Sequence, residues 1–220
     1  MADYGPITVW GVVSLRAHRV HWALQELGLD YRVEPIQSRT GETLTAEYTA
    51  LNPRQKIPCM QDGDLVISES AAILNHLFRS YGEGRGVFVP STPAEMAASD
   101  EWCFTTMAEM DAHSLYLIRR HKGLAHIYGE APVAVDSAVE YFQKQLAALR
   151  PRIAATTDCL FGDRLGVADI LLTSVLDWAV KYEIDIDEDS TRYMDRMLAR
   201  PAYQRAWETC ALPEGVEQGA

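Results

Sequence analysis

The chain has 220 residues, of which 48% are hydrophobic and 23% charged, and its formal net charge is −11. This length fits one large domain or two small ones, and the composition is that of an ordinary soluble globular protein. Nucleic acids and anionic membranes both need a basic surface, so neither is expected as a partner. An anionic ligand would need a local basic pocket.

The cysteines and the first residues of the sequence indicate the cellular compartment that we expect for the protein. No signal-like basic or apolar segment opens the chain, and Asp169 and Asp177 interrupt the richest apolar run, 168–180, so no membrane span is expected. The six histidines show no zinc-type spacing with cysteines, and no metal site is predicted. We expect a cytoplasmic protein with reduced thiols, because no C-x-x-C pair occurs among its cysteines, Cys59, Cys103, Cys159 and Cys210.

The first quarter of the chain predicts a strand, a helix and a second strand. Residues 7–10 read as a strand and 11–16 as a loop, and a helical apolar stripe then ends at Gly28, a typical residue just past a helix. With a strand at 31–35, this segment predicts a βαβ unit with parallel strands. A short helix is expected around 44–51.

The next segment, LNPRQKIPCMQDGDLVISES at 51–70, predicts a hairpin followed by a helix. Ile57-Pro58 opens an apolar run, and proline is tolerated at the start of a strand. Asp62-Gly63 separates that run from a second one at 65–67, which predicts a tight turn whose two central residues have φ > 0. Ser68-Glu69-Ser70 precedes a helical apolar pattern and predicts the N-terminus of that helix.

The second half of the chain reads as helical. Residues 81–93 are rich in glycine and proline and predict a linker. Helices are expected at 95–121, at 133–153, at 167–180, where the residues are apolar nearly all round, and from Pro201 onward. The tail from Pro213 is expected to fray.

The stretch 51–70 resembles the glutathione transferase family. That family has a cis-proline loop in which Asn-Pro is followed, after two or three residues, by a β-branched residue and proline, as in Asn52-Pro53 and Ile57-Pro58 here. Its site for the γ-glutamyl end of glutathione matches Glu69-Ser70. Gly166-Val167-Ala168-Asp169 is similar to the family's buried capping box, although the family usually has Ser or Thr in place of Gly166.

The resemblance covers residues 7 to about 207, and it implies a fold. We expect an α/β thioredoxin-like N-terminal domain at 1–82, a linker at 83–93 and an all-α helical C-terminal domain at 94–220. The resemblance also implies a homodimer, with glutathione and a small electrophile as partners and glutathione as co-substrate. The serine-type, theta/delta-like classes are the nearest match.

By position, the resemblance implies how glutathione is held. Ile57 would offer its main chain to the cysteinyl amide beside a cis bond to Pro58, and Glu69 and Ser70 would hold the γ-glutamyl group. Serine-type classes often follow Glu-Ser with Arg, whereas this chain has Ala71. The glycyl carboxylate would meet three further residues, Gln55, Lys56 and Arg39.

Ser14 stands where the serine-type classes carry the hydroxyl that activates the thiol. A thiol of pKa ~8.5 is only slightly ionised at neutral pH, and a donated hydrogen bond or a helix N-terminus favours the thiolate. Tyr4 precedes the first strand and is a poor substitute for the tyrosine of other classes, and no cysteine occupies position 14. Arg16 is the next candidate activator.

The resemblance places a second substrate beside the first long helix of the helical domain. Candidate residues for that pocket are Arg16, Met107, Met110, Asp111, Ser114 and Tyr116. Methionines suit a broad apolar pocket, but at helical spacing they also occur as plain core residues. Val13-Ser14-Leu15 lacks the first-loop signature of the maleylacetoacetate isomerase branch, which disfavours that reaction.

Three functions are therefore open. We favour a transferase or dehalogenase that joins glutathione to a small electrophile. The alternatives are a glutathione-dependent disulfide or peroxide reductase working through two bound glutathiones, and a non-catalytic glutathione- or ligand-binding relative.

Overall fold

The computed structural model describes residues 7–211, which fall into two compact units. One unit contains residues 7–89 together with 199–211, and the other contains 90–198. The packing thus groups the last helix with the first unit, whereas the sequence suggested a single helical domain from 94 to the end. Tyr4 and the tail from Pro213 lie outside the described residues.

The first unit is built on a four-stranded sheet in the order β2-β1-β3-β4. Strand β1 pairs in parallel with β2 and antiparallel with β3, and β3 pairs antiparallel with β4. The βαβ and ββα units expected from the sequence are therefore both present. The elements in chain order are β1 (Ile7–Trp10), α1 (Leu15–Leu27), β2 (Tyr31–Glu34), a 3-10 turn (Glu42–Leu44), α2 (Ala46–Leu51), β3 (Cys59–Asp62), β4 (Leu65–Ser68) and α3 (Ser70–Tyr81).

The turn between β3 and β4 differs from the prediction. Asp62 is the last residue of β3, so the central residues of the turn are Gly63 and Asp64, and only Gly63 has positive φ, at 58°. The buried Asp62 carboxylate instead accepts hydrogen bonds from His76 at 2.7 Å and Tyr81 at 2.8 Å. Because both donors belong to α3, Asp62 fastens the hairpin to that helix.

Helix α1 is buried on most of its faces because two helices cover it. It packs against α3 and against α10 (Pro201–Cys210). Just before α10, Arg200 forms a bidentate ion pair with Glu26 of α1 at 2.6 and 2.8 Å. The ring of His18 stacks on Trp207 with centroids 4.1 Å apart. The last helix is thus part of the core of the first unit.

The loop that follows β1 is tied down by main-chain hydrogen bonds. The N–H groups of residues 11, 12 and 13 donate to carbonyl groups at 3.1, 3.0 and 2.9 Å, those of Glu34, Ile36 and Cys210 respectively. Val13 has φ of 54°, a left-handed conformation that β-branched residues rarely adopt. The carbonyl of Cys210 therefore holds a strained residue immediately before Ser14.

His21 supports the same loop from within α1. It is buried, with Nε2 3.0 Å from the carbonyl of Gly11 and Nδ1 3.1 Å from the hydroxyl of Tyr31. A carbonyl only accepts, so Nε2 carries the proton and the Tyr31 hydroxyl donates to Nδ1. Burial lowers the pKa of His21, and the hydrogen bond to Gly11 offsets part of that effect.

The second unit is helical. Helix α4 continues without a break through a wider π-type segment, Thr105–Leu115, and a second such segment, Arg119–Gly123, where the sequence predicted one helix over 95–121. Within residues 7–211 no helix is both long and apolar enough to cross a membrane. The α-helices of this unit are α4 (Pro93–Phe104), α5 (Tyr116–Ile118), α6 (Ala125–Tyr128), α7 (Pro132–Ala154), α8 (Val167–Lys181) and α9 (Glu188–Leu198).

Helix α8 forms the buried centre of the second unit, as its apolar composition predicts. Almost all of it is buried, although Val180 is 45% exposed. Asp169 reaches back to the N–H of Gly166 at 2.8 Å, which confirms the expected contact with the cap amide. Its other oxygen accepts from the N–H of Leu160 at 2.8 Å and from the hydroxyl of Tyr193 at 2.6 Å. Gly166 contributes only its main chain to this arrangement.

The lowered pKa of His21 predicts a loss of stability in weak acid. Below the ordinary value of 6.5 the unfolded chain binds a proton that the folded chain does not take up. The contribution of this group is therefore present above pH 6.5 and is lost as the pH falls toward the lowered folded pKa. Urea unfolding should give a lower midpoint at about pH 5.5 than at about pH 7.5.

The variant His21→Gln keeps an N–H donor for Gly11 but does not titrate, so its midpoint should fall less over the same interval. The variant His126→Gln, at an exposed position of α6, serves as the control and should behave like the parent protein. An equal fall in the parent and in His21→Gln would show that His21 does not contribute to the acid sensitivity.

Candidate functional site

The loop before β3 presents an unused main-chain edge. The Ile57–Pro58 bond is cis, as expected. The Tyr48 hydroxyl and the Asn52 amide stabilise the loop by donating hydrogen bonds to the Lys56 carbonyl at 2.7 and 2.8 Å. Within residues 7–211 the N–H and C=O of the half-buried Ile57 have no hydrogen-bonding partner. An extended peptide has the geometry to add at such an edge by β-augmentation.

A glycine brings the loop after β1 into direct contact with this edge. A Cβ added to Gly11 would lie 2.8 Å from the Cβ of Ile57, closer than side chains tolerate. Gly11 also has φ of 127°, a conformation that favours glycine. The contact places the loop that carries Ser14 against the cis-proline loop.

Ser14 occupies the N-cap position of α1, but its side chain does not cap the helix. The residue is half-buried, and the first turn of α1 contains no acidic residue. Its main-chain carbonyl accepts from the His18 N–H at 2.8 Å and from the Cys210 thiol at 3.7 Å. Burial raises the pKa of Cys210, which keeps that thiol protonated as a donor. The Ser14 hydroxyl thus lies at the positive end of a helix, where an anion is favoured.

Glu69 and Ser70 lie together at the start of α3. Glu69 has φ of 75°, which is rare for a residue other than glycine, and it pairs with Arg54 at 2.6 Å. Ser70 is buried, and its Oγ accepts a hydrogen bond from Nη1 of the buried Arg19 at 3.3 Å. The first amides of a helix have no intrahelical partner. This corner therefore offers a carboxylate for an ammonium group, together with a hydroxyl and free amides for a carboxylate.

The residues expected to meet the glycyl carboxylate have differing surroundings. The Gln55 amide donates to the Thr49 hydroxyl at 3.0 Å, and Lys56 is exposed. Arg39 donates from Nη1 to the Ser38 hydroxyl at 3.3 Å, while its Nε is buried without a partner among residues 7–211. Their role toward a ligand stays a prediction.

The candidates for the second substrate lie mostly in the second unit. Four of them, Met107, Met110, Asp111 and Ser114, belong to the π-type segment Thr105–Leu115, and Tyr116 follows it. Met107 and Tyr116 are half-buried, whereas the other three are buried. The Ser114 hydroxyl is already used, because it donates to the Glu109 carbonyl at 2.8 Å. Arg16 is half-buried in the first turn of α1, and the pocket assignment stays a prediction.

The cysteines are not poised as nucleophiles. All four are free and buried, and burial raises the pKa of Cys59 to about 11, in keeping with its expected core position. Among residues 7–211 no cluster of His, Cys, Asp and Glu side chains is arranged to hold a metal ion.

Sequence reasoning missed several residues that shape the site. Arg54 lies inside the recognised Asn-Pro loop, so its proximity to Glu69 could have been suspected. Arg19 and His21 carry no motif, and only the burial of the whole of α1 reveals them. The hydrogen bond from the Cys210 thiol to the Ser14 carbonyl connects segments almost two hundred residues apart, so no local sequence pattern indicates it.

Comparison with protein families gives two matches. The model for the glutathione S-transferase N-terminal domain matches residues 5–79, and the model for the glutathione S-transferase C-terminal domain matches 105–201. Glutathione S-transferase 4 of Zea mays is 30% identical over 171 residues, which cover 74% of this chain and 73% of the maize protein.

Solved structures agree with these matches. A theta class glutathione S-transferase from Xanthomonas axonopodis pv. citri, with glutathione bound, is 27% identical with a TM-score of 0.74, covering 91% of this chain and 96% of its own. A glutathione transferase homologue from Lodderomyces elongisporus, with two glutathione molecules per subunit, shares the fold at 23% identity and a TM-score of 0.83, covering 93% and 99%.

The fold expected from the sequence, a thioredoxin-like α/β domain with a helical domain, is therefore confirmed. The two domain models and the similarity to the maize relative establish that this chain belongs to the glutathione transferase family.

Proposed function

We propose that the protein is a serine-type, theta/delta-like glutathione transferase in which Ser14 activates the thiol of glutathione. The observation that carries this proposal is the Ser14 hydroxyl, which does not cap α1 although it lies at the helix N-terminus. Its loop packs against Ile57, whose main chain is free for a peptide. The Xanthomonas relative of theta class, solved with glutathione, adds support.

Glutathione would bind as an extended tripeptide along the cis-proline loop. The main chain of Ile57 pairs with the cysteinyl unit, Glu69 accepts from the γ-glutamyl ammonium, and Ser70 with the first amides of α3 receives the α-carboxylate. Gln55, Lys56 and Arg39 supply donors for the glycyl carboxylate. The cysteinyl thiol is then carried toward Ser14, because the loops at 11–14 and 57–58 are packed together.

The reaction follows from the charge on sulfur. The thiol loses its proton to solvent, and the Ser14 hydroxyl and the N-terminus of α1 stabilise the resulting thiolate. A hydrogen bond to a charged acceptor contributes about 1.5–3 kcal/mol, which corresponds to one to two pKa units at about 1.36 kcal/mol each. The thiolate attacks an electrophilic carbon, a carbon–sulfur bond forms, and the leaving group departs with the electron pair of its broken bond.

We further propose a cytoplasmic homodimer. Apolar side chains are exposed on both units, namely Leu65 and Val66 on β4 and Met96 and Phe104 on α4, and Phe104 is 70% exposed. Burying such apolar surfaces against a second subunit is more favourable than leaving them exposed to water. Sedimentation at micromolar concentration measures the mass directly, and a monomer would contradict this part of the proposal.

The substitution Ser14→Ala should separate binding from activation. Loss of the hydroxyl removes a donor to the thiolate but no group that holds the tripeptide. Conjugation should therefore slow by about one to two orders of magnitude while the dissociation constant of glutathione changes little. Ultraviolet difference titration should show a higher pKa for the bound thiol.

The variant Ser80→Ala, at the far end of α3, is the matched control and should conjugate like the parent. Unchanged turnover and thiol pKa in Ser14→Ala would mean that another group activates the thiol, and Arg16 would then be replaced in the same assay.

The substitution Glu69→Ala should weaken glutathione binding. It removes the carboxylate that receives the γ-glutamyl ammonium, and a lost charge-assisted contact costs about 1.5–3 kcal/mol, or at least about tenfold in affinity. Titration calorimetry measures this loss, with Glu47→Ala on the exposed surface of α2 as control. An unchanged dissociation constant in Glu69→Ala would remove the γ-glutamyl assignment.

The kind of reaction is tested with a panel of chloroaromatic, alkyl halide, peroxide and mixed-disulfide substrates in the presence of glutathione. We expect turnover of the electrophiles. Turnover of only the disulfides and peroxides would favour a reductase, and binding of glutathione without any turnover would favour a ligand carrier.

A further inference from the structure

A charged side chain lies in the core of the first unit, directly behind the proposed site. Arg19 of α1 is fully buried, with 0% of its surface exposed. A guanidinium group keeps its proton in proteins, so this position holds a permanent positive charge. Removing such a charge from water is costly unless suitable partners compensate it.

The guanidinium group of Arg19 reaches the N-terminus of α3. Nη1 of Arg19 donates to the Oγ of Ser70, the first residue of α3, at 3.3 Å. A helix N-terminus carries a partial positive charge of its own. Arg54 also lies at this corner, where its ion pair with Glu69 at 2.6 Å balances its charge.

The hydrogen bond from Arg19 also sets the direction of the Ser70 hydroxyl. A serine oxygen has one proton to donate and lone pairs to accept. Because Arg19 occupies a lone pair, the proton of Ser70 is free to point to another acceptor. A donor that itself receives a hydrogen bond from a cation is polarised and binds an anion more strongly. Ala71, the next residue, has no charge or donor in its side chain, and the basic side chain that contacts Ser70 comes from α1.

We propose that Arg19 is a positioning residue that makes this corner selective for the α-carboxylate of the γ-glutamyl group. Arg19 acts through Ser70 and does not touch the ligand. This inference rests on the proposed function, because it assumes that the γ-glutamyl end binds at Glu69 and Ser70. It adds that peptides without an α-carboxylate are discriminated against by a charge buried behind the site.

The experiment compares two ligands by titration calorimetry. One is glutathione, and the other is its analogue with 4-aminobutanoyl in place of γ-glutamyl, which lacks only the α-carboxylate. In Arg19→Met the affinity for glutathione should fall by about tenfold or more, while the affinity for the analogue should change by less than about twofold. Arg19→Lys keeps the positive charge but not the planar guanidinium group, and it should retain part of the glutathione affinity that Arg19→Met loses. Arg205→Met, on the exposed side of α10, should leave both affinities unchanged.

A double-mutant cycle tests the route through Ser70. In a Ser70→Ala background, Arg19→Met should weaken glutathione binding by less than about twofold, because the intermediate hydroxyl is already gone. Equal weakening of both ligands in Arg19→Met, or an undiminished effect in the Ser70→Ala background, would show a purely structural role and overturn the inference.

Circular dichroism and thermal melting check that each variant folds. If Arg19→Met does not fold, Arg19→Lys and Ser70→Ala carry the same comparison. Each should then lose more affinity for glutathione than for the analogue, and equal losses overturn the inference. Failure of the parent protein to bind glutathione overturns the proposed function itself, whereas equal losses of affinity for the two ligands in the variants overturn only the role of Arg19.

Discussion

The close approach of Gly11 to Ile57 is the constraint on which the first unit depends. Two loops meet at this point, one leading into α1 and the other into β3, and a Cβ at position 11 would lie 2.8 Å from the Cβ of Ile57. Any side chain would push the loops apart and separate Ser14 from the free main-chain edge. The proposed chemistry needs both, since the tripeptide is held by one loop and its sulfur is stabilised at the other.

The rest of the unit can be understood as support for that contact. His21 binds the Gly11 carbonyl from α1, the Cys210 carbonyl holds the strained Val13, and the Asp62 carboxylate ties the hairpin to α3. The last helix matters here although it lies far away in sequence. Because α10 packs on α1 and is fixed by the Arg200–Glu26 ion pair, the end of the chain contributes to the position of Ser14.

Sequence reasoning predicted the parts of the fold that local chemistry dictates. The strand at 7–10 and the glycine that ends α1 follow from residue type and spacing, and the cis bond before Pro58 was implied by the resemblance to the transferase family. The structure contains all three. The predicted position of the turn between β3 and β4 was wrong by one residue. Burial of the Asp62 side chain against α3 outweighs the usual preference of an Asp-Gly pair for the centre of the turn.

Other features could not be predicted because their causes are non-local. Helix α9 was missed because its sequence, EDSTRYMDRML, is mostly polar, and its few buried side chains become apparent only when α7 and α8 pack against it. The burial of Arg19 likewise depends on helices that cover α1 from two sides. At the candidate site, the residues were suggested by the family motif, but the contacts between Arg54 and Glu69 and between Arg19 and Ser70 needed the folded chain.

The most direct test of the central claim is a crystal structure of the protein with glutathione. The account predicts that the glutathione sulfur lies within hydrogen-bonding distance of the Ser14 hydroxyl, about 3.0–3.5 Å. It also predicts that the cysteinyl unit pairs with the main chain of Ile57 and that the γ-glutamyl carboxylate meets Ser70. A glutathione molecule bound elsewhere, or bound along Ile57 with its sulfur turned away from Ser14, would contradict the account.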